Sequence, residues 1–181
     1  RIRTGKLSIR PTRFDLSALV RELLQNFAPQ IDAAESSVTL EAEQPVVGSW
    51  DEFRIEQVIS NLLTNALRYG AKSPITVKVY SESGQARVEV RDLGIGIGEE
   101  NQKRIFQQFE RVTAKYAVAG LGLGLFISEQ IVAAHFLKAA TDEGNVGGRV
   151  ERHQLAKRVD HEDLGLRLRQ EAAACLGAVE V

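Results

Sequence analysis

Cysteine occurs once in the 181-residue chain, at Cys175. A lone thiol excludes an internal disulfide framework and fits a reducing compartment. Long apolar runs are missing too. Nothing approaches the roughly 18 consecutive apolar residues of a membrane span, and the nearest stretch, 117–127, is broken by glycines. Charge of one sign is not in excess either, since the net charge is −1. That balance gives no electrostatic reason to expect nucleic acid as the main partner. Arg1-Ile2-Arg3 brings no initiator methionine and no signal peptide, so the chain reads as a cut made inside a longer protein. What is present is ordinary for a globular domain: 44% apolar and 26% charged residues. The length suits one domain with a real core plus short appendages.

Residues 1–13 are basic and polar, with Gly5 and Pro11 as breakers, and read as a frayed helix end and a linker. Asp15 is placed to cap a helix whose Leu16, Leu19, Val20, Leu23, Leu24 and Phe27 share a face. Val38 to Ala42 alternates like a half-buried strand, and Val46 to Trp50 reads as a second, less regular one. Asp51 then caps a helix running to about Tyr69, with Phe53, Ile55, Val58, Ile59, Leu62, Leu63, Ala66 and Leu67 at helical spacing. Gly70 is expected to end it with a positive φ. Ile75–Ser81 and Gln85–Asp92 alternate around Ser83-Gly84, which signals a hairpin. Leu123 to His135 is strongly apolar and reads as a helix that starts in glycines. Residues 162–176 show a weaker helical pattern. The class is α+β: a two-layer sandwich of a mixed β-sheet with helices on one face.

Three stretches carry chemistry. Asn61 and Asn65 lie four apart on the second long helix, so both amides project from one face. Amide oxygens suit Mg²⁺, which takes few protein ligands beside phosphates and water; the pair equally suits solvated or capping asparagines. Asp92 ends an apolar strand and is followed by Gly94 and Gly96. A carboxylate there can accept from a buried amino group while glycines admit a ligand close to the backbone. A plain Asp-x-Gly turn would use the same residues. Gly120, Gly122 and Gly124 open the apolar helix, where free N–H groups and the helix dipole favour phosphate. Any one of these signals is weak. All three in this order are hard to obtain by chance.

The chain resembles the catalytic ATP-binding domain of sensor histidine kinases, within the superfamily of gyrase B subunits, MutL and a heat-shock chaperone. Asn61-Leu62-Leu63-Thr64-Asn65-Ala66-Leu67-Arg68-Tyr69 matches the family's N box, and Asp92-Leu93-Gly94-Ile95-Gly96-Ile97 its first glycine box. Ile105-Phe106-Gln107-Gln108-Phe109-Glu110-Arg111 matches the phenylalanine box, and Gly120-Leu121-Gly122-Leu123-Gly124-Leu125 the second glycine box. The match runs from about Ile2 to His135. It implies a Bergerat-type ATP-binding fold over 14–150, preceded at 1–13 by the end of a dimerisation helix and followed at 151–181 by a divergent tail.

The resemblance implies roles as well. Asp92 would bind the adenine amino group, where guanine presents an oxygen. Asn61 and Asn65 would serve the Mg²⁺ and phosphate region, and Arg68 and Lys115 would meet phosphate oxygens. Tyr69 and Tyr116 would line the nucleotide pocket together with Gly94, Gly96, Ile97 and the residues of Gly120 to Leu125. Residues 98–119 would form a lid over ATP. The implied activity is that of a protein-histidine kinase fragment lacking its acceptor. It would present the γ-phosphoryl to a histidine on a separate dimerisation domain of the full-length homodimer, for relay to a response-regulator receiver domain. A cytoplasmic place follows, with no membrane insertion by this segment and no nucleic acid partner.

Two departures bear on that expectation. The phosphoacceptor motif is absent; His161-Glu162-Asp163-Leu164 matches it only superficially, at the wrong end and without the downstream proline. After His135 the family continues with two glycines, a strand, a Gly-x-Gly turn and a last strand. Here Phe136-Leu137 stands in their place, and Lys138-Ala139-Ala140-Thr141 makes a poor strand. Two other readings remain: a superfamily ATPase or clamp, and a nucleotide-binding regulatory module whose kinase activity has decayed. Clamp members usually carry a glutamate, able to act as a base, where Asn61 stands.

Overall fold

The chain was described from a computed structural model, covering residues 7–70, 72–82, 84–98, 101, 104–109, 122–143 and 178–180. The first strand, β1 (Thr12–Asp15), leads directly into α1 (Leu16–Asn26). Asp15 caps that helix as its spacing suggested: Oδ1 accepts from Ser17 N–H at 2.9 Å and from Val46 N–H at 3.1 Å. A short α2 (Ala28–Ala33), begun by Pro29 in its first turn, was not legible in the apolar pattern. β2 (Ser37–Glu41) and β3 (Val47–Trp50) follow, then α3 (Glu52–Tyr69).

The hairpin forms as its alternation requires. β4 (Pro74–Glu82) and β5 (Gln85–Arg91) are antiparallel, with Glu82 opposite Gln85. A 3-10 turn spans Arg104–Phe106. The last helix, α4 (Gly124–Glu143), runs two turns past His135. Lys138 to Thr141 are therefore helical rather than a poor strand, consistent with the helix preference of Lys and Ala and the lack of a glycine stop. The helix expected over 162–176 lies outside the described residues.

Two sheets result. β1 pairs antiparallel with β3, so Thr12 and Arg13, read as linker, belong to a strand. The larger sheet has the order β2-β4-β5-β6, where β6 is Ala178–Glu180. β2 runs parallel to β4 and the other pairs are antiparallel, which makes the sheet mixed. Ile75, Val77 and Val79 of β4 and Ala86, Val88 and Val90 of β5 all point inward and are buried. They meet Leu16, Val20 and Leu23 of α1, Ile55, Ile59, Leu62 and Leu63 of α3, and Ile131 and Val132 of α4 in one core. Helices thus cover one face of the sheet, the α+β arrangement that the sequence suggests. Phe53 departs from the expected stripe: it is 69% exposed. Among the described residues no helix is long and apolar enough to cross a membrane.

Candidate nucleotide site

The C-terminal half of α3, the loop after β5 and the first turn of α4 come together at one edge of the core. Asp92, immediately after β5, is 2% exposed. Its Oδ1 accepts from Gly94 N–H at 2.8 Å, closing a tight Asp-x-Gly turn. A Cβ on Gly94 would lie 2.2 Å from the Tyr69 carbonyl oxygen, so this loop crosses directly over the end of α3. Gly70 serves the same approach from the other side. A Cβ there would sit 2.8 Å from Asp92 Cβ and 2.8 Å from Ala66 O. Its φ is −105°, not the positive value expected of a helix-ending glycine. Gly70 is required for space rather than for backbone conformation.

One and two turns back along α3 stand Asn65 and Asn61. Asn61 Nδ2 donates to Gly124 O at 3.1 Å and to Ser128 Oγ at 3.2 Å, and Ser128 Oγ donates to Gly124 O at 3.0 Å. This network ties α3 to the start of α4. Asn65 is half-buried and makes no hydrogen bond among the described residues. Arg68 is exposed in the last turn of α3, and Tyr69 is half-buried with its carbonyl against Gly94. From Tyr69 to Asn61 the helix advances about 12 Å, which sets the long dimension of the site. Gly122, with φ +66°, and half-buried Leu123, Gly124 and Leu125 lead into α4. Gly122 O accepts from Phe109 N–H at 3.2 Å, bringing the phenylalanine-box segment to the same place. Gly96, exposed with φ +65°, and half-buried Ile97 extend the loop after Asp92. Lys115, Tyr116, Gly120 and Leu121 fall outside the described residues, as does most of the expected lid.

Sequence reasoning passed over two residues that organise the site. Ser128 lies four after Gly124, so helical spacing alone places it on the same face. His135 is 6% exposed. Its Nδ1 meets Ile131 O at 2.8 Å, and its Nε2 accepts the Asp51 N–H at 3.0 Å. That second bond requires an unprotonated Nε2, and burial pushes the imidazole below its ordinary pKa of 6.5. Asp51 in turn caps α3 by accepting from Arg54 N–H at 3.2 Å and also takes the Arg10 N–H at 2.8 Å. α4 is therefore pinned to α3 at two places, the N-cap of α3 through Asp51 and its middle through Asn61.

A buried carboxylate beside a close backbone approach, amides on one helix face and a glycine-led helix start thus lie together along one edge of the core. Residues 50–166 match the family described as the histidine kinase-, DNA gyrase B-, and HSP90-like ATPases, and the chain belongs to that family. It is 33% identical to the sensor protein RprX of Bacteroides fragilis (strain YCH46) over 139 residues, which are 72% of this chain and 26% of that protein. Among solved structures it resembles the catalytic domain of the histidine kinase ThkA, determined nucleotide-free. That likeness has a TM-score of 0.63 and 28% identity, covering 70% of this chain and 82% of that one. It also shares its fold with full-length ShkA, solved in complex with AMPPNP. There the TM-score is 0.64 and the identity 23%, over 72% of this chain and 27% of that one. The chain spans only part of these sensor kinases, 26% of RprX and 14% of Escherichia coli RcsC.

Proposed function

We propose that this domain binds ATP with Mg²⁺ and presents the γ-phosphoryl to a histidine on a separate dimerisation domain, for relay to a response-regulator receiver domain. The observation that carries the reading is Asp92: a carboxylate buried to 2% exposure, fixed through Oδ1 by Gly94 at the end of α3. Its chemistry suits an adenine amino group, since guanine offers an acceptor there. The AMPPNP complex of the fold neighbour ShkA adds support for an adenine nucleotide.

Phosphates then fall toward Asn65, Asn61 and the N–H groups that open α4. Asn61 commits its nitrogen to Gly124 and Ser128, which turns the ligand role over to its amide oxygen. Among the described residues no group of three or more His, Cys, Asp or Glu could hold a metal ion. A Mg²⁺ would therefore come with the phosphates, held by Asn65, and by Asn61 directly or through water, and would neutralise phosphate charge. Arg68 and, from the lid, Lys115 supply positive charge, while Tyr69 and Tyr116 border the base and sugar. Gly94, Gly96 and Ile97 line one end, and Gly120 to Leu125 the other. Phosphoryl transfer asks mainly for positioning and charge neutralisation, which such a cleft supplies. Hydrolysis would need a base toward water, and an amide at Asn61 cannot be one. The domain would work at the cytoplasmic side as part of a longer sensor.

Calorimetric titration of ATP with and without Mg²⁺ tests the binding step. Labelling of an added histidine-bearing dimerisation domain from γ-labelled ATP tests the transfer. Tight Mg-dependent binding with labelling is the expected result. Binding without any labelling would instead favour a regulatory module, and no binding would remove the reading altogether.

A further inference from the structure

Ser128 stands in the second turn of α4, four residues after Gly124, and is 1% exposed. A buried serine in a helix often bonds back to the carbonyl four residues earlier and does nothing more. Here that bond is made, with Oγ donating to Gly124 O at 3.0 Å. The hydroxyl also meets a residue of another helix, however. Asn61 Nδ2 lies 3.2 Å from Ser128 Oγ and 3.1 Å from Gly124 O.

This triangle admits one arrangement of protons. Gly124 O can only accept, so Ser128 Oγ spends its one hydrogen there. The hydroxyl can then only accept from Asn61, and both hydrogens of the Asn61 amide are taken, one by each oxygen. The terminal torsion of an asparagine is broad and roughly two-fold, so the side chain alone does not choose which end of its amide faces which way. Turning the Asn61 amide over would set Oδ1 against Gly124 O, which has no hydrogen, and against a hydroxyl whose hydrogen is engaged. Gly124 O alone would hold one amide hydrogen and leave the group free to swing about that bond. Ser128 supplies the second point, which fixes the plane. Among the described residues Asn61 Oδ1 accepts no hydrogen bond. A Cβ on Gly124 would lie 3.5 Å from both Cγ and Oδ1 of Asn61, so glycine at that position leaves the amide oxygen uncovered on that side.

We infer that Ser128 is the positioning residue of Asn61. By taking the second amide hydrogen it fixes the direction in which Oδ1 is presented to a divalent cation carried by a nucleotide, and so sets how much Mg²⁺ adds to nucleotide affinity. This role rests on the Mg-ATP reading of the same site. Ser128 itself is buried behind Asn61 and acts only through that amide.

Titrations of ATP into the 181-residue chain, in Mg²⁺ and in EDTA, give the factor by which the metal tightens binding. Ser128→Ala should lower that factor about 3- to 10-fold, the scale of one neutral hydrogen bond, while affinity in EDTA changes less than about twofold. Ser128→Cys, close in shape but a weak acceptor, should lower the factor in the same direction. In an Asn61→Ala background Ser128→Ala should lower it no further, since no amide is left to orient. An unchanged factor, equal losses in Mg²⁺ and in EDTA, or a further loss in the Asn61→Ala background would each overturn the role of Ser128. A parent chain that binds ATP equally with and without Mg²⁺ would overturn the reading of the site itself, and the metal role of Ser128 with it. NMR of the Asn61 side-chain amide without any ligand keeps the two apart. Both amide hydrogens should exchange slowly with water in the parent, and one should be released in Ser128→Ala. Two hydrogens still equally protected in that variant would overturn the positioning whatever the nucleotide does.

Discussion

At the scale of single residues, the site depends on how closely backbone and carboxylate approach. Asp92 was legible in the sequence as a carboxylate before alternate glycines, and the structure adds that it is buried and held by Gly94 N–H. Asp92→Asn keeps an oxygen for that N–H but loses the charge that an adenine amino group would meet. ATP affinity should fall about 10- to 150-fold, equivalent to roughly 1.5–3 kcal/mol for a charge-assisted hydrogen bond. Calorimetry on the folded variant checks this, and an unchanged affinity would sink the adenine assignment. Asn65→Asp should keep α3 intact, since the side chain makes no described hydrogen bond, yet place a charge among phosphates and metal. Labelling of an acceptor domain should drop at least tenfold; wild-type labelling would take Asn65 out of the mechanism. Gly94 differs, because its cost is structural. A methyl group 2.2 Å from the Tyr69 carbonyl forces the loop away from α3. Gly94→Ala should therefore lower thermal stability and nucleotide affinity together, read by melting and titration of the same sample.

Elements show where pattern reading holds and where it stops. α1, α3 and the β4–β5 hairpin were legible because caps, helical spacing and alternation agree with one another. β1 was not, since Thr12 to Asp15 is short and its partner β3 lies far along the chain. The end of α4 was misplaced because a family pattern suggested a stop that Phe136-Leu137 does not provide. His135, at the nominal end, instead sits within the helix and holds the start of α3 through Asp51 N–H. Nothing in a periodicity argument distinguishes such a histidine from a surface one. Its contribution should be visible in pH. Burial lowers its folded pKa, while Asp51 charge and the Ile131 carbonyl oppose that shift. On acidification the unfolded chain takes up the proton first, so stability is full above about pH 6.5 and declines as pH falls through 6.5 toward the folded value. Urea midpoints at pH 7.5, 6.5 and 5.5 should fall in that order. His135→Gln, whose amide oxygen can still accept the Asp51 N–H, should flatten this part of the profile. An unaltered slope in the variant would remove His135 as its source.

For the molecule as a whole, the sheet, the helical layer and the candidate site are one cooperative body. Asp92 hangs on β5, Asn61 and Asn65 sit on α3, Gly124 opens α4, and all three elements contribute to a single core. The class and the site were legible because those residues recur at fixed intervals around strong elements. The pairing of β6 with β5 was not, because Ala178 to Glu180 carries too few residues for any alternation to show. A ligand that touches all three elements at once must stabilise the entire fold and not a loop alone. At a free concentration 100 times its Kd it would add about 2.7 kcal/mol. For a chain of this size each kcal/mol moves the melting midpoint by about 2–4 °C. Mg-ATP should therefore raise the midpoint by about 5–10 °C, whichever spectroscopic probe follows the transition. Asp92→Asn should cut that rise to between about a half and a tenth at the same ligand concentration, given its 10- to 150-fold weaker binding, while melting at a similar temperature without ligand. An undiminished rise in Asp92→Asn would mean that nucleotide binds the molecule somewhere other than the cleft between α3, β5 and α4.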